Sequence, residues 1–123
     1  MNQEVQDLDN SVTAEVKASS RITPESTDEI RELVLHISEP SFRCAKGQSI
    51  AVIVPGPHAF GNRYHIRRYS IANDPAASNT GEGVDISLLV RRCFYTDEFS
   101  GEEYPGVASN YLCDANVGDR ITI

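Results

Sequence analysis

Polar and apolar residues alternate in several stretches of the chain, and a period of two predicts strands, because successive side chains of an extended backbone point to opposite faces. Val12, Ala14 and Val16 alternate with polar neighbours around the start of residues 13–22. Within residues 30–37, Leu33, Leu35 and Ile37 share one face, and Glu32, Val34 and His36 share the other. Good helix formers in Glu29-Ile30-Arg31-Glu32-Leu33 make a helix the competing reading there. Val84, Ile86, Leu88 and Val90 lie on one face of a strand over residues 84–94. Residues 49–54 carry the unbroken apolar run Ile50-Ala51-Val52-Ile53-Val54, a buried strand by its length and β-branching, and Pro55-Gly56-Pro57 ends it. Residues 65–72 and 120–123 read as two further strands.

Turn-forming residues separate these elements. Thr23-Pro24-Glu25-Ser26-Thr27-Asp28, Ser38-Glu39-Pro40-Ser41 and Lys46-Gly47-Gln48 are turns, and Gly118-Asp119 is a last one. Residues 58–64, with Gly61-Asn62, and residues 73–83 are loops, and residues 96–105 form an acidic loop through Asp97, Glu98, Glu102 and Glu103. Only residues 106–114 look helical, with Ser109 as the expected N-cap. Six strands, one short helix and long loops predict an all-β, mostly antiparallel small barrel.

Composition narrows the class. A chain of 123 residues, 40% hydrophobic and 24% charged, is one globular domain. Cys44, Cys93 and Cys113 are an odd number without a C-x-x-C pair, which argues against a disulfide framework, a zinc site or a four-cysteine cluster. No apolar run approaches the roughly 18 residues of a membrane span, and residues 1–10 are polar and acidic, so a soluble, cytoplasmic protein without membrane insertion is expected. The net charge of −7 argues against nucleic acid as a partner. Charge is uneven, however: residues 40–95 hold seven basic side chains against three acidic ones. A basic focus inside an acidic protein suits a small anionic ligand better than a polymer.

The candidate chemistry centres on His65-Ile66-Arg67-Arg68-Tyr69-Ser70-Ile71-Ala72. Strand alternation sets Arg67 and Tyr69 on one face and Arg68 and Ser70 on the other. A guanidinium fork suits phosphate, a tyrosine ring offers a flat platform, and a serine hydroxyl donates or accepts. An exposed basic strand with a half-buried tyrosine is the simpler alternative. Val90-Arg91-Arg92-x-x-Tyr95 and Gly106-Val107-Ala108-Ser109 complete the set. Small residues leading into a helix leave free N–H groups where a pyrophosphate can sit, although an ordinary glycine turn has the same sequence. His36, His58 and His65 lack the convergent carboxylates of a metal site, and neither Ser70 nor Ser109 has a histidine at a spacing that suggests a nucleophile and base.

Taken together, Arg67-Arg68-Tyr69-Ser70-Ile71-Ala72, Val90-Arg91-Arg92-Cys93-Phe94-Tyr95 and Gly106-Val107-Ala108-Ser109-Asn110-Tyr111-Leu112-Cys113-Asp114 resemble the FAD-binding domain of plant-type ferredoxin-NADP reductases, in order and at similar spacing. Gly47-Gln48-Ser49-Ile50 resembles a barrel turn of the same family. The resemblance implies a six-stranded antiparallel Greek-key barrel with one short helix over residues 13–123, after a flexible segment over residues 1–12, with the NADP-binding domain lying outside this chain. It implies that Arg67 binds the FAD pyrophosphate, Tyr69 stacks on the isoalloxazine and Ser70 bonds near flavin N5, which makes Tyr69 and Ser70 the catalytic candidates. Tyr95 would stack on adenine, Val107, Ala108 and Ser109 would line pyrophosphate and flavin, and Arg91 would assist the NADP phosphate. Arg68, Val90 and Gly106 fall within the same motifs as cofactor-binding candidates. Ferredoxin or a similar carrier would be the electron partner of the full-length protein, and the chain alone would be inactive with NADPH. Ala108 stands where chloroplast members have a cysteine, and no G-x-G-x-x-G follows a strand. A non-catalytic barrel that docks an acidic protein, and the flavin domain of a diflavin reductase, are the alternatives.

Overall fold

The computed structural model describes residues 11–40, 42–56, 63–75 and 83–123. Most of the expected N-terminal segment, His58, the Gly61-Asn62 turn and most of the loop over residues 73–83 lie outside the described residues. Among the described residues the strands are β1 (Thr13–Arg21), β2 (Ile30–Ile37), β3 (Ser49–Pro55), β4 (Tyr64–Ser70), β5 (Val84–Arg91), β6 (Phe94–Thr96), β7 (Glu103–Pro105) and β8 (Arg120–Thr122), and the helix α1 (Val107–Cys113) lies between β7 and β8. Six of the strands form one antiparallel sheet in the order β4-β3-β8-β1-β2-β5, and β6 pairs with β7 separately. The β3–β4 hairpin thus lies across β8 from the β1–β2 hairpin, while β5 returns to β2, which is the expected Greek-key barrel.

Alternation decides which faces are buried. Leu33, Leu35 and Ile37 on β2 and Ile86, Leu88 and Val90 on β5 are fully enclosed, opposite Ala14 and Val16 on β1. Each buried aliphatic side chain contributes roughly 1.5–3 kcal/mol relative to exposure. The β2–β5 register runs without a break from Ile30↔Arg91 to Ile37↔Val84. β3, flanked by β4 and β8, is buried on both faces from Ile50 to Val54, and this explains its unbroken apolar run. A bulge between Val16 and Ala18 lets β1 serve two partners. There the Val16 N–H donates to the Asp119 carbonyl at 2.9 Å, and the Gly118 N–H donates to the Val16 carbonyl at 2.9 Å.

Two expectations need correction. The strand over residues 84–94 stops at Arg91, and Phe94–Thr96 turns away to pair with Glu103–Pro105 inside the supposed acidic loop. Asp97 builds that hairpin: its carboxylate accepts the N–H groups of Phe99 at 2.8 Å and Ser100 at 2.9 Å, and Gly101 takes a φ of 74°. Three-residue strands are too short for alternation to reveal. In addition, α1 begins at Val107 with Gly106 as its N-cap, so Ser109 lies inside the first turn, not at the cap.

The sheet has two edges, β4 and β5, and these meet at one end only. The Ala72 N–H donates to the Ser87 carbonyl at 2.8 Å. Asn73 locks the junction: its amide nitrogen donates to the Asp85 carbonyl at 3.0 Å, and its amide oxygen accepts the Ser87 N–H at 2.8 Å. Asn73→Ala removes two half-buried bonds and leaves both β5 groups unsatisfied, a loss of about 1–3 kcal/mol. The urea midpoint should fall accordingly with an unchanged m-value; an unchanged midpoint would show that the junction does not hold the barrel.

Candidate functional site

Beyond Ala72 and Ser87 the two edges part, and a cleft of about 650 Å³ opens between them. β4 contributes His65, Arg67, Arg68 and Tyr69, β5 contributes Leu89 and Arg91, and Cys93, Tyr95 and Gly106 to Ser109 close the far side. Among the described residues β4 and β5 each keep one edge without a strand neighbour here, so the walls of the cleft include backbone donors and acceptors as well as side chains. α1 packs on β3, β4 and β5 and closes the cleft from below.

The register places Tyr69 opposite Ile50 and Arg67 opposite Val52, so both stand on the core side of β4. Arg68, opposite Ala51, stands on the other face yet still borders the cleft. Tyr69 is partly buried against the core, and burial pushes its phenol above the ordinary value, so the ring is a neutral platform. Arg67 makes no hydrogen bond or ion pair with a described residue. Among the described residues, three guanidinium groups line this cleft and no carboxylate does, although the chain carries a net charge of −7.

The far wall is held by a side chain that sequence reasoning passed over. Arg92 donates to Glu29 at 3.0 Å, to the Asn110 amide oxygen at 2.7 Å and to Asp114 at 2.8 Å, tying the end of β5 to the start of β2 and to α1. Its carboxylate partners raise an already high pKa further, so it is a permanent cation. Asn110 uses its amide nitrogen for the carbonyls of Cys93 at 3.0 Å and Gly106 at 2.8 Å. Ser109, 7% exposed, accepts the Cys93 N–H on its hydroxyl at 3.0 Å. Gly106 fits only because it has no Cβ, which would lie 2.9 Å from Ser109 Oγ and 3.2 Å from the Cys93 carbonyl. The amides of Val107, Ala108 and Ser109, in the first turn of α1, have no carbonyl within the helix to bond. Beyond them Tyr95, mostly exposed, stacks on Tyr104 with centroids 5.5 Å apart.

Nine of the eleven candidates therefore converge on one cleft: Arg67, Arg68, Tyr69, Arg91, Tyr95, Gly106, Val107, Ala108 and Ser109. Two do not line it. Val90 is fully buried in the core, so only its backbone is near, and Ser70 is exposed at the end of β4. Arg92, Asn110 and Glu29 were missed. Pairing between Glu29 and Arg92 depends on β2–β5 register, and no sequence spacing across 63 residues signals it.

This arrangement can hold a ligand with a phosphate and a flat ring. No family model matches the chain. The barrel superposes on a ferredoxin-NADP+ reductase from Plasmodium falciparum with a TM-score of 0.63 at 18% identity, covering 94% of this chain and 39% of that one. It superposes equally on the cytochrome b5 reductase domain of Ulva prolifera nitrate reductase, with a TM-score of 0.64 at 16% identity over 93% of this chain and 40% of the other. By fold it is therefore an antiparallel barrel like those in these two proteins. In sequence it is 37% identical over 100 residues to a ferredoxin-NADP reductase from Spirulina, covering 79% of this chain. It is 33% identical over 114 residues to the chloroplastic leaf isozyme 1 of Arabidopsis thaliana, covering 93%. The chain belongs to the plant-type ferredoxin-NADP reductase family, in the region of its FAD-binding domain. It spans 33% and 31% of the length of those two relatives.

The Glu29 hub gives a pH signature. Its hydrogen bonds with Arg31 and then Arg92 hold the carboxyl below its ordinary value, so its stabilisation is present above the unfolded pKa and is lost as pH falls through the folded one. Glu29→Gln should lower the urea midpoint at neutral pH, and its deficit against wild type should shrink below about pH 4.3. A deficit independent of pH would mean that the carboxylate charge is not what stabilises the corner.

Proposed function

We propose that the cleft is an FAD site and that the chain serves as the flavin-binding part of an oxidoreductase passing electrons between NADPH and ferredoxin or a similar carrier. The observation that carries this reading is the junction of three arginines, a half-buried tyrosine and a helix start in one cleft. Its volume of about 650 Å³ suits a cofactor-sized ligand. The arginines converge in a concavity instead of spreading over a flat face, which favours a small ligand over a docked protein.

In this reading Arg67 takes the pyrophosphate, together with the first-turn amides of Val107 to Ser109. Tyr69 supports the flavin ring from the core side of β4, and Ser70 contributes at the end of that strand, with the open edges of β4 and β5 offering donors and acceptors to the ring's polar rim. Tyr95, already stacked on one side by Tyr104, has its other face for adenine. Gly106 keeps the approach to the helix start clear. Bound FAD would supply the redox chemistry, hydride exchange with NADPH and single-electron exchange with the carrier, while the chain binds and orients it. Ala108, 3% exposed, stands at the position of the chloroplast cysteine, so no thiol is available there.

FAD should bind at least roughly ten-fold more tightly than FMN, because Tyr95 and the helix start serve groups that FMN lacks. Titration of both flavins by fluorescence tests this, and equal affinities, or no response to either, would overturn it. Arg67→Ala should weaken FAD by about ten-fold or more, and Arg68→Ala by less, since only Arg67 shares the face of Tyr69. Equal losses would assign the phosphate to both faces.

A further inference from the structure

Arg91 is on the cleft wall, but its guanidinium is already engaged: it forms an ion pair with Asp28, which does not line the cleft. The acid is delivered by a braced loop. Arg21 donates to the carbonyls of Thr23, Pro24 and Thr27, each at 3.0 Å. The Thr23 hydroxyl donates to the Asp28 carbonyl at 2.7 Å and accepts the Ile30 N–H at 3.0 Å. The neighbouring acid cannot substitute, because Glu29 is committed to Arg31 and Arg92. Adjacent acids thus pair with adjacent arginines, Asp28 with Arg91 outside and Glu29 with Arg92 inside. The two pairs differ in strength. Side chains of the outer pair are 63% and 67% exposed, against 19% and 18% for the inner one, and exposed ion pairs are weak enough for an incoming anion to break.

We propose that Asp28 is an internal competitor that sets the affinity of the cleft for phosphate-bearing ligands by occupying Arg91. A ligand whose phosphate reaches Arg91 must displace the Asp28 carboxylate, so the selectivity of the outer end of the cleft is governed by a residue that never touches the ligand. This deepens the FAD reading and rests on it for the identity of the ligand, but not for the pairing.

The test compares wild type, Asp28→Asn, Arg91→Ala and the double variant, with inorganic pyrophosphate followed by calorimetry and FAD by fluorescence. Only the backbone carbonyl of Asp28 braces the loop, so asparagine leaves that bracing intact. Asp28→Asn should bind pyrophosphate roughly three- to ten-fold more tightly, the gain disappearing at high salt and in the Arg91→Ala background. Glu25→Gln, the same charge change in the same loop, should leave affinity unchanged. The proposal is overturned if Asp28→Asn matches wild type, if neither protein binds pyrophosphate, or if the gain persists without Arg91 or is reproduced by Glu25→Gln. FAD separates the two readings. If no variant binds FAD while pyrophosphate binding still depends on Asp28 and Arg91, the flavin assignment falls and the competitor stands. If FAD binds but Asp28→Asn changes nothing, the reverse holds.

Discussion

The edge strands β4 and β5 are joined through Ala72, just beyond β4, whose N–H bonds the Ser87 carbonyl, and most of the molecule is arranged around the gap beside that link. An antiparallel sheet normally closes or caps its edges, because a row of unpaired backbone groups invites pairing with other chains. Here one end is locked by Asn73. At the other, the strands diverge around a cleft that α1 and the β6–β7 hairpin enclose. The same gap that leaves backbone groups unpaired therefore makes room for a ligand, and it is the neighbouring elements that keep the gap from exposing the core.

Keeping the gap open requires the far wall to be anchored independently of the sheet. Arg92 does this by reaching Glu29 before β2, Asn110 of α1 and the α1 C-cap Asp114 at once, while Asn110 and Ser109 bind the corner at Cys93 from the helix side. The buried thiol of Cys113, pushed up in pKa by its surroundings, and Leu112 seal the helix onto the core. The cleft thus lies between the edge of the barrel and the helix corner packed on its core.

Three arginines on or behind the cleft have quite different roles. Arg92 is consumed by structure, Arg91 is balanced by an exposed acid, and Arg67 has no hydrogen-bonded or ion-paired partner among the described residues. In a chain of net charge −7, Arg67, Arg68 and Arg91 concentrate positive charge on the cleft walls. Acidic residues of the β6–β7 hairpin lie outside the cleft: Asp97 is spent on holding its own turn, and its carboxyl is kept below the ordinary range by the N–H groups of Ser100 and Phe99.

How much of this was legible in the chain depends on the range of the interaction concerned. Alternation along β1, β2 and β5 is a local, period-two signal and the apolar run of β3 a local compositional one, and they identified those strands and the faces that became the core. Motif order placed nine of its eleven candidates on the cleft. Only the tertiary structure decided the rest. Three-residue β6 and β7 carry no periodicity of their own and exist because Asp97 ties the turn between them. Val90 belongs to the core because its strand faces that way, whatever motif contains it. The roles of Asp28, Glu29 and Arg92 arise from register: pairing Ile30 with Arg91 brings two acids beside two arginines. Electrostatic partners are chosen by distance in space, and a sequence specifies that distance only through the folded sheet.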